Sequence, residues 1–458
     1  MDVKLKLKAL NPKVFKAYDI RGLYPQELDH NTVELIASGF VEYLHSHDKG
    51  NLCLLGEDVR YTSPEIREMV KSKVLERGLD VLEVGVVDVP LFLFALNQSE
   101  ADGGIMITAS HNSIQYNGLK LYEGTRALSE RTGLKDIKNI IEAGLKPYAG
   151  PRGGRRFEDF GKNYAEFVVS HASLGRKINA IFDTGGGTMG LILPKVLEKL
   201  NLKSECLFLK PDPRLSVRKP DPLSQSAQAK AREEVLKTKA EVAFIFDPDG
   251  DRLVVLDEKG EAARADAILW LLASNFAKPG DTLVADLRAS RALKDEAEDK
   301  GMRLLKSRVG RSFIQELMRE EDALLGGELS GHFFFKEFFY SDSALWAALK
   351  VLEILSRSEA ALSELLKPFR RYFQSGDINL IAARHDLIIS ELSEKYKDGA
   401  RNYLDGLTVE YPFWWFNLRQ SNTEDLLRLV IEARSKEIFH EKKDELLAFL
   451  FGKGAKID

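Results

Sequence analysis

The chain has 458 residues, of which 44% are hydrophobic and 30% charged, and its net charge at pH 7 is −4. This composition is typical of a soluble globular protein with an ample core, and at roughly 100–200 residues per domain the length predicts three or four domains. The charge excludes a basic field for nucleic acid or for an anionic membrane. No apolar run approaches the roughly 18–20 residues that span a bilayer, and residues 1–8 do not read as a signal peptide. We therefore expect a cytoplasmic protein without a nucleic-acid or membrane partner.

The chain has two cysteines, Cys53 and Cys206, and each lies in an apolar run. We expect buried free thiols rather than a disulfide, which agrees with a reducing compartment.

Three stretches of the chain repeat one order of elements. Each begins with an apolar strand, passes through a polar or glycine-rich turn into a helix, and returns through two further strands. The starting strands with their turns are Leu52–Arg60, Ala180–Thr188 and Thr282–Ser290. Strands that alternate with helices predict mixed α/β domains whose strands are largely parallel.

The third strand of each repeat ends in an unusual loop. These loops are Thr108–Asn112, Asp247–Arg252 and Gly326–His332. In sheets of this type functional loops lie beyond the strand ends, so each of the three domains is expected to supply one functional loop.

The last part of the chain, from about Tyr372, has a different order of elements. It contains an aromatic strand at Pro412–Phe416, and we predict helices at Leu426–Ala433 and Glu441–Phe451. The predicted fold class is α/β, with three related mixed α/β domains and a smaller C-terminal α+β domain around a central cleft. The predicted domains are residues 1–153, 154–256, 257–369 and 370–458, and a tether at Lys367–Arg371 is expected to let the last one move as a unit.

The acidic loop carries Asp247, Asp249 and Asp251 between two apolar strands. Crowded carboxylates repel one another unless a cation lies among them, so a divalent metal is the first hypothesis. An EF-hand is excluded because Arg252 stands where that loop needs glycine and strands flank it. A solvated acidic turn is the remaining alternative, but the flanking strands read as buried. Magnesium beside a phosphate fits better.

Two polar loops are candidates for phosphate chemistry. Ser110 follows the apolar strand Gly104–Ile107, although a structural turn is the alternative, and the adjacent His111 is poorly placed for a hydrolase-type relay. Arg419 begins a loop of hydroxyl and amide donors that match the oxygens of a phosphate. An exposed polar turn is the alternative there.

Five motifs, taken together, resemble the α-D-phosphohexomutase family, and within it the phosphomannomutase/phosphoglucomutase branch. In the family's order they are Ala17–Gly22, Thr108–Asn112, Asp247–Arg252, Gly327–His332 and Arg419–Glu424. The resemblance implies an intramolecular phosphotransferase that interconverts hexose 1-phosphate and hexose 6-phosphate, of mannose or glucose. It also implies a phosphoserine enzyme and a hexose 1,6-bisphosphate intermediate.

The same resemblance implies one Mg²⁺ per chain and glucose or mannose 1,6-bisphosphate as the priming phosphoryl donor. The catalytic residues that it implies are Ser110, Lys120, His111, His332 and Arg21, and the metal site that it implies comprises Ser110, Asp247, Asp249 and Asp251. The implied substrate-binding residues are Tyr18, Arg252, Arg288, Arg311, Glu328, Ser330, Arg419, Ser421, Asn422 and Thr423. For Lys120 a solvated lysine is the alternative. The expected partners are hexose phosphates, and the expected state is a monomer or a weak homodimer.

The chain departs from the family pattern at four positions. Arg311 stands where many relatives have a histidine, and an arginine cannot exchange a proton near neutral pH, so we expect it to bind phosphate or sugar. Arg288 replaces a lysine, and Gln420 and Asp425 replace prolines, which predicts a less rigid clamp loop. The competing functions are a phosphoglucosamine mutase, which usually has glutamine where Leu329 stands, a non-catalytic sugar-phosphate-binding protein and a metal-dependent phosphatase.

Overall fold

The computed structural model describes residues 10–421 and 425–458. The chain forms two compact units: the first comprises Met1–Ala265 and Ser330–Ser363, and the second comprises Asp266–Leu329 and Glu364–Asp458. Within the described ranges, no helix is both long enough and apolar enough to cross a membrane. The boundaries of the four predicted domains remain a prediction.

The first sheet, in the first unit, has seven strands in the order β1-β5-β4-β2-β3-β7, with β6 paired to β5. Its strands are β1 (Ile20–Leu23), β2 (Leu52–Glu57), β3 (Asp80–Val86), β4 (Gly103–Ile107), β5 (Tyr116–Glu123), β6 (Arg126–Ala127) and β7 (Arg155–Phe157). Its helices are α1 (His30–Ser46), α2 (Ser63–Glu76), α3 (Val89–Gln98) and α4 (Lys135–Ala143), with a 3-10 turn at Pro12–Val14 and a π turn at Glu130–Leu134. Strand β2 is parallel to β3 and β4, while β1 and β5 are antiparallel. The sheet is therefore mixed.

The second sheet, also in the first unit, has five strands in the order β12-β11-β10-β8-β9. Its strands are β8 (Ile178–Asp183), β9 (Leu202–Leu207), β10 (Val242–Phe246), β11 (Leu253–Asp257) and β12 (Ala262–Ala263), and its helices are α5 (Gly161–Ser170), α6 (Met189–Leu197) and α7 (Gln225–Thr238). Every residue of β10 and β11 is buried, and all of them except Asp257, the last residue of β11, are apolar.

The two cysteines are free thiols. Cys53 lies in a central strand and is buried, as predicted. The prediction of burial is wrong for Cys206, which is partly exposed because β9 is the edge strand of the second sheet.

The third repeat begins in the second unit, where β14, β13 and β15 are parallel neighbours. Its elements there are α8 (Ala265–Phe276), β13 (Thr282–Asp286), α9 (Arg291–Asp299), β14 (Arg303–Ser307), α10 (Arg311–Glu320) and β15 (Leu325–Gly327). Residues 330–363 belong to the first unit and contain the antiparallel pair β16 (Phe333–Phe335) and β17 (Ser341–Asp342), a 3-10 turn at Lys336–Phe338, and α11 (Ala344–Ser356). The helix is held in the first unit by Trp346, whose ring lies 5.4 Å from that of Phe167.

The C-terminal part is a sheet with the strand order β20-β21-β22-β23-β19-β24, in which β18 also pairs with β23. After α12 (Leu362–Leu365) and a 3-10 turn at Lys367–Phe369, its strands are β18 (Phe373–Gln374), β19 (Ile378–Ile381), β20 (Ala400–Asn402), β21 (Leu407–Glu410), β22 (Trp414–Gln420), β23 (Leu427–Ala433) and β24 (Lys456–Ile457). Helices α13 (His385–Lys395) and α14 (Lys436–Gly452) complete it.

The helix predicted at Leu426–Ala433 is wrong, because this segment is strand β23. It pairs with β22 on one side and with β19 on the other. Leu427, Leu429 and Ile431, at every second position, join the hydrophobic core of this sheet. The apolar residues of this segment fit both the helical and the strand periodicity, and pairing with β22 and β19 makes the segment a strand.

Candidate active site

The acidic loop Asp247–Arg252 joins β10 to β11, which are antiparallel neighbours. All three of its aspartates are fully buried. One oxygen from each of the three carboxylates lies within 4.8 Å of the others. Gly250 adopts φ +72°, and a Cβ there would lie 2.9 Å from the Cβ of Asp88, so this tight turn requires glycine.

The backbone of the acidic loop is fixed by hydrogen bonds from outside it. The Thr188 N–H and hydroxyl both donate to the Pro248 carbonyl at 2.9 Å, Arg218 donates to the Phe246 carbonyl at 2.6 Å, and the Val89 N–H donates to the Asp249 carbonyl at 2.8 Å. These donors hold the end of β10 and the first half of the loop, so the carboxylates project from a well-supported backbone.

The electrostatics of the aspartates favour a cation. Burial, followed by repulsion from Asp249 and Asp251, raises the pKa of Asp247 well above its usual range. Burial also raises the pKa of Asp88 to about 7, and Asp249 and Asp251 add to the rise. Among the described residues, Asp249 Oδ1 is buried without a hydrogen-bond partner. Buried oxygen ligands with surplus negative charge fit a hard divalent cation such as Mg²⁺.

Ser110 lies against this loop and is almost fully buried. Its Oγ donates to Asp247 Oδ2 at 3.1 Å. The residue adopts φ +51°, a left-handed conformation that is uncommon for a side chain other than glycine. Its N–H donates at 2.9 Å to Thr108 Oγ1, which itself donates to Asp249 at 3.0 Å. The structure therefore brings the predicted nucleophile and the predicted metal ligands together.

Lys120, on β5, donates from Nζ to Asp249 Oδ2 at 2.8 Å and to Asp251 Oδ2 at 2.6 Å. The lysine is 5% exposed, so the alternative of a solvated lysine is wrong. It supplies a positive charge inside the carboxylate cluster.

Two predicted catalytic histidines lie at this site. His111 Nδ1 is 3.3 Å from Ser110 Oγ, and burial together with Arg252 and Arg21 lowers its pKa well below the usual range, which leaves the ring neutral at neutral pH. His332 Nε2 is 3.3 Å from Asp251 Oδ1 and 3.6 Å from Asp342 Oδ2. Its Nδ1 is 2.9 Å from Ser330 Oγ, so the predicted sugar-binding serine contacts the histidine.

Two of the remaining predicted residues of the first unit contact the loops of the site: Arg21 contacts the nucleophile loop (residues 108–116), and Arg252 contacts the acidic loop. Arg21, on β1, donates to Asn112 Oδ1 at 2.6 Å and pairs with Asp19. Tyr18 precedes β1 and is half-buried. The Arg252 N–H donates to Asp247 Oδ1 at 3.1 Å, and its Nε lies 4.0 Å from Asp247 Oδ2.

The fully buried Arg60, which sequence reasoning did not assign to the site, fills the inside of the nucleophile loop. Its Nη2 donates to the carbonyls of Ser110 and Asn112, each at 2.7 Å. Its Nη1 donates to the carbonyls of Ser113 and Tyr116 at 2.9 and 3.1 Å.

The second unit contains a cluster of charges in which two buried arginines meet the more exposed Asp377. Arg288 is 4% exposed and donates to both oxygens of Asp286, at 2.9 and 2.8 Å. Its Nη1 donates to Asp377 Oδ2 at 2.6 Å, and its Nη2 lies 3.4 Å from Glu328 Oε1. Arg419, at the end of β22, donates to the other oxygen of Asp377 at 3.0 Å. One carboxylate thus lies between two of the predicted substrate-binding arginines.

The charges of Asp377 and Arg288 are stabilised by their partners, whereas burial and repulsion from Arg288 lower the pKa of Arg419. Burial opposes ionisation of Asp377, but Arg288 and Arg419 outweigh it and lower the pKa of Asp377 to about 2. Burial likewise opposes the charge of Arg288, but Asp286 and Asp377 outweigh it and raise its pKa.

Three further predictions fall in the second unit. Arg311 is the first residue of α10, where it is buried after Gly310. Ser421 is half-buried, and its N–H donates to the Leu426 carbonyl at 2.8 Å. Asn422 and Thr423 lie outside the described residues.

A signal for the residues that were missed is present in the sequence. Asp58-Val59-Arg60 and Asp286-Leu287-Arg288 repeat the pattern Asp-x-Arg at the end of the first strand of two repeats. The distant partner Asp377 carries no such signal, because it is 89 residues from Arg288.

The chain was compared with known families and proteins. Four models of the phosphoglucomutase/phosphomannomutase group match it: alpha/beta/alpha domain I at residues 12–147, domain II at 158–260, domain III at 264–372 and the C-terminal domain at 377–449. The chain is 32% identical over 453 residues to a phosphomannomutase of Escherichia coli, which covers 95% of this chain and 98% of that protein. It is 33% identical over 459 residues to a phosphomannomutase of Methanocaldococcus jannaschii, with coverages of 94% and 96%.

A solved structure gives the same result. The crystal structure of a phosphoglucomutase/phosphomannomutase family protein from Burkholderia thailandensis is 28% identical and has a TM-score of 0.90. The match covers 98% of this chain and all of that one. The predicted class of three mixed α/β domains and a smaller C-terminal domain is confirmed.

Proposed function

The chain belongs to the phosphoglucomutase/phosphomannomutase family, and from this premise we propose that it transfers a phosphoryl group between O1 and O6 of mannose or glucose phosphate. One observation carries the proposal. The buried hydroxyl of Ser110 lies 3.1 Å from Asp247, on a loop with two further buried aspartates. A nucleophile beside a carboxylate cluster is what a phosphoserine mutase requires, and a protein that only binds sugar phosphates does not need one.

In the proposed reaction Ser110 carries the phosphoryl group. The free hydroxyl oxygen of a hexose monophosphate forms a bond to phosphorus as the bond from phosphorus to Ser110 Oγ breaks. The hydroxyl loses its proton and Oγ gains one, which gives a hexose 1,6-bisphosphate and a free serine. The phosphoryl group at the other end of the sugar then returns to Ser110, so no phosphate is consumed.

The chain's own groups supply charge and proton positions around Ser110. Lys120 Nζ is 2.8 Å from Asp249 and 2.6 Å from Asp251, where it reduces the repulsion that a phosphate would meet. The neutral His111 ring, 3.3 Å from Oγ, is proposed to orient the serine hydroxyl by a hydrogen bond.

The three aspartates of the acidic loop are proposed to hold one Mg²⁺, together with the phosphate on Ser110. When bound, the ion supplies Lewis-acid stabilisation of the negative charge on the phosphoryl group.

The second unit is proposed to bind the phosphate that is not being transferred. Arg288 and Arg419 have buried guanidinium groups that converge on one anion, the carboxylate of Asp377. Planar guanidinium forks match phosphate oxygens in the same way. Glu328 and Ser330 are proposed to contact sugar hydroxyls, and Ser421, Asn422 and Thr423 to complete the clamp.

The four domain boundaries, the cytoplasmic location and the monomer or weak homodimer state are part of this proposal.

The test is a mutase assay with mannose, glucose and glucosamine phosphates, with and without Mg²⁺ and a hexose 1,6-bisphosphate. We expect interconversion of the 1- and 6-phosphates of mannose or glucose that requires Mg²⁺ and is accelerated by the bisphosphate. Release of inorganic phosphate without isomerisation would contradict the proposal in favour of a phosphatase. Binding of sugar phosphates without turnover would contradict it in favour of a non-catalytic protein.

A further inference from the structure

Arg60 uses every hydrogen-bond donor of its guanidinium inside the first unit. Its Nε donates to Asp58 Oδ2 at 3.0 Å, and the four N–H groups of its fork meet four backbone carbonyls. An arginine has five such donors, so none is left to bind a ligand. The side chain is 0% exposed, which excludes direct contact with a substrate in this conformation.

The orientation of Arg60 is fixed by its aspartate. Asp58 Oδ1 accepts the Arg60 N–H at 2.9 Å and the hydroxyl of Ser63 at 2.7 Å, while Oδ2 accepts Nε. Both oxygens of the carboxylate are therefore occupied, and the guanidinium is locked in one plane. The strand end and the start of α2 thus hold the fork rigidly beneath the nucleophile loop.

The four carbonyl acceptors belong to residues 110, 112, 113 and 116, so the nucleophile loop wraps around one side chain. One of them is the carbonyl of Ser110 itself, which adopts φ +51°. A left-handed serine is intrinsically disfavoured and persists only where surrounding contacts hold it. Arg60 provides such contacts through the backbone carbonyls of the loop, while the Ser110 side chain bonds to Asp247.

We propose that Arg60 is a positioning residue for phosphoryl transfer: it holds the Ser110 loop in the left-handed turn that directs Oγ toward Asp247. This inference rests on the proposed function, because the direction of Oγ matters only if Ser110 transfers phosphate. Its consequence is specific. Loss of the fork misplaces the nucleophile but leaves the acidic loop and the second unit intact, so kcat falls while KM is retained.

The informative variant is Arg60→Lys, which keeps the charge but replaces a rigid fork with a single ammonium group. One ammonium has three donors and cannot span four carbonyls, so a displaced nucleophile is expected. A misplacement of about 1 Å costs on the order of 10²-fold in rate, and we expect a fall in kcat of this size with KM for hexose phosphate unchanged within about twofold. Arg77→Lys is the matched control, because Arg77 lies in the same unit and also donates to a carboxylate and a carbonyl, those of Glu42 and Lys146.

Hydrogen exchange gives a readout that does not depend on activity. Backbone amides of residues 110–117 are expected to exchange at least about tenfold faster in Arg60→Lys than in the wild type, whereas those of residues 247–252 keep their protection. If Arg60→Lys does not fold, as judged by circular dichroism, Asp58→Asn replaces it, because loss of that carboxylate releases the guanidinium from its plane. The same pattern, a lower kcat and faster exchange confined to residues 110–117, is expected.

The outcomes separate the two proposals. An inactive wild type on every sugar phosphate contradicts the proposed function, whereas an active wild type with an unchanged kcat in the variant contradicts the role of Arg60. A raised KM with normal kcat, or unchanged exchange at residues 110–117, also contradicts it.

Discussion

Arg60 of the first unit and Arg288 of the second occupy the same place in a repeated turn, two residues after an aspartate at the end of a strand. Each aspartate accepts from the backbone N–H of its arginine, at 2.9 and 2.8 Å, and from Nε, at 3.0 and 2.9 Å. The local sequence thus builds the same Asp–Arg pair twice.

The two guanidinium forks meet different acceptors. The fork of Arg60 reaches only backbone carbonyls of the Ser110 loop, whereas that of Arg288 reaches the carboxylates of Asp286, Glu328 and Asp377. Carbonyls cannot be exchanged unless the loop itself moves. A carboxylate such as Asp377 is an anion that a phosphate can replace. The same motif therefore fixes a nucleophile in one unit and, on our proposal, binds a phosphate in the other.

The largest effect is expected at Ser110, the nucleophile whose loop Arg60 holds. Ser110→Ala removes the nucleophile, so we expect mutase turnover to fall by more than about 10³-fold while sugar-phosphate binding persists. Coupled mutase assays and titration calorimetry measure the two quantities. Ser72→Ala, on α2 and away from the site, is the control, and normal turnover in the Ser110 variant would rule out a phosphoserine mechanism.

The next effect concerns the acidic loop that Ser110 faces. Asp249→Asn removes one negative charge from a carboxylate whose Oδ1 lacks a hydrogen-bond partner among the described residues, so we expect the Mg²⁺ requirement to weaken and the rate to fall about 10²–10³-fold. Rates measured over a Mg²⁺ series test this, with the exposed Asp159→Asn as the control. If the variant kept a normal rate and a normal Mg²⁺ dependence, Asp249 would not be a metal ligand.

Arg288→Lys is the counterpart of the Arg60 variant and tests the comparison directly. Lysine cannot reproduce the fork that reaches several carboxylates, so we expect KM for hexose phosphate to rise about tenfold with a smaller change in kcat. Steady-state kinetics of the two variants, measured side by side, should give opposite signatures. A fall in kcat with KM unchanged would mean that Arg288, like Arg60, only positions other groups.

Asp377→Asn is expected to have a smaller effect of the opposite sign. Because the carboxylate competes with phosphate for Arg288 and Arg419, its removal should lower the dissociation constant for inorganic phosphate by a few-fold. Calorimetry measures this, with the exposed Asp444→Asn as the control. Weaker phosphate binding in the variant would show that Asp377 supports the arginines instead of competing with phosphate.

The smallest effect is on stability in acid. The pKa of Asp377 falls from 3.8 to about 2 on folding, so its ion pairs stabilise the protein above about pH 4, and this stabilisation disappears as the pH falls through 2. Because Asp377 is solvent-exposed, screening keeps the corresponding gain in unfolding free energy to about 1 kcal/mol or less. Denaturant unfolding of wild type and Asp377→Asn between pH 2 and 6 measures it. Their difference should shrink toward low pH, and a difference that is constant with pH would contradict the assignment.

The sequence predicted which residues of the first unit lie together at the acidic loop, because they belong to short contiguous motifs. Asp247, Asp249 and Asp251 are brought together by one turn between two strands, and the alternation of charge along that turn is visible in the chain. The contact of Lys120 with the acidic loop could not be predicted from the sequence, because it depends on the pairing of β4 with β5. The sequence predicts a poor position for His111 in a hydrolase-type relay, and the structure shows its Nδ1 3.3 Å from Ser110 Oγ.

The second unit shows where the sequence was less informative. Residues 426–433 are apolar enough for either a helix or a strand, and only pairing with β22 and β19 makes them a strand. Asp377 was not identified because its two arginine partners lie 89 and 42 residues away. Contacts between distant segments leave no periodic pattern that sequence reasoning can detect.

By itself the sequence determined the α/β class, the family motifs, the acidic turn and the Asp-x-Arg pairs, because each depends on residues within one turn or one strand. The tertiary structure decided what each arginine of those pairs does. The Ser110 loop folds over Arg60, whereas Asp377 and Arg419 approach Arg288. The physical reason is that the aspartate two residues before each arginine fixes only the orientation of the guanidinium. The groups that the fold brings to its terminal nitrogens, carbonyls for Arg60 and carboxylates for Arg288, determine what the arginine can do.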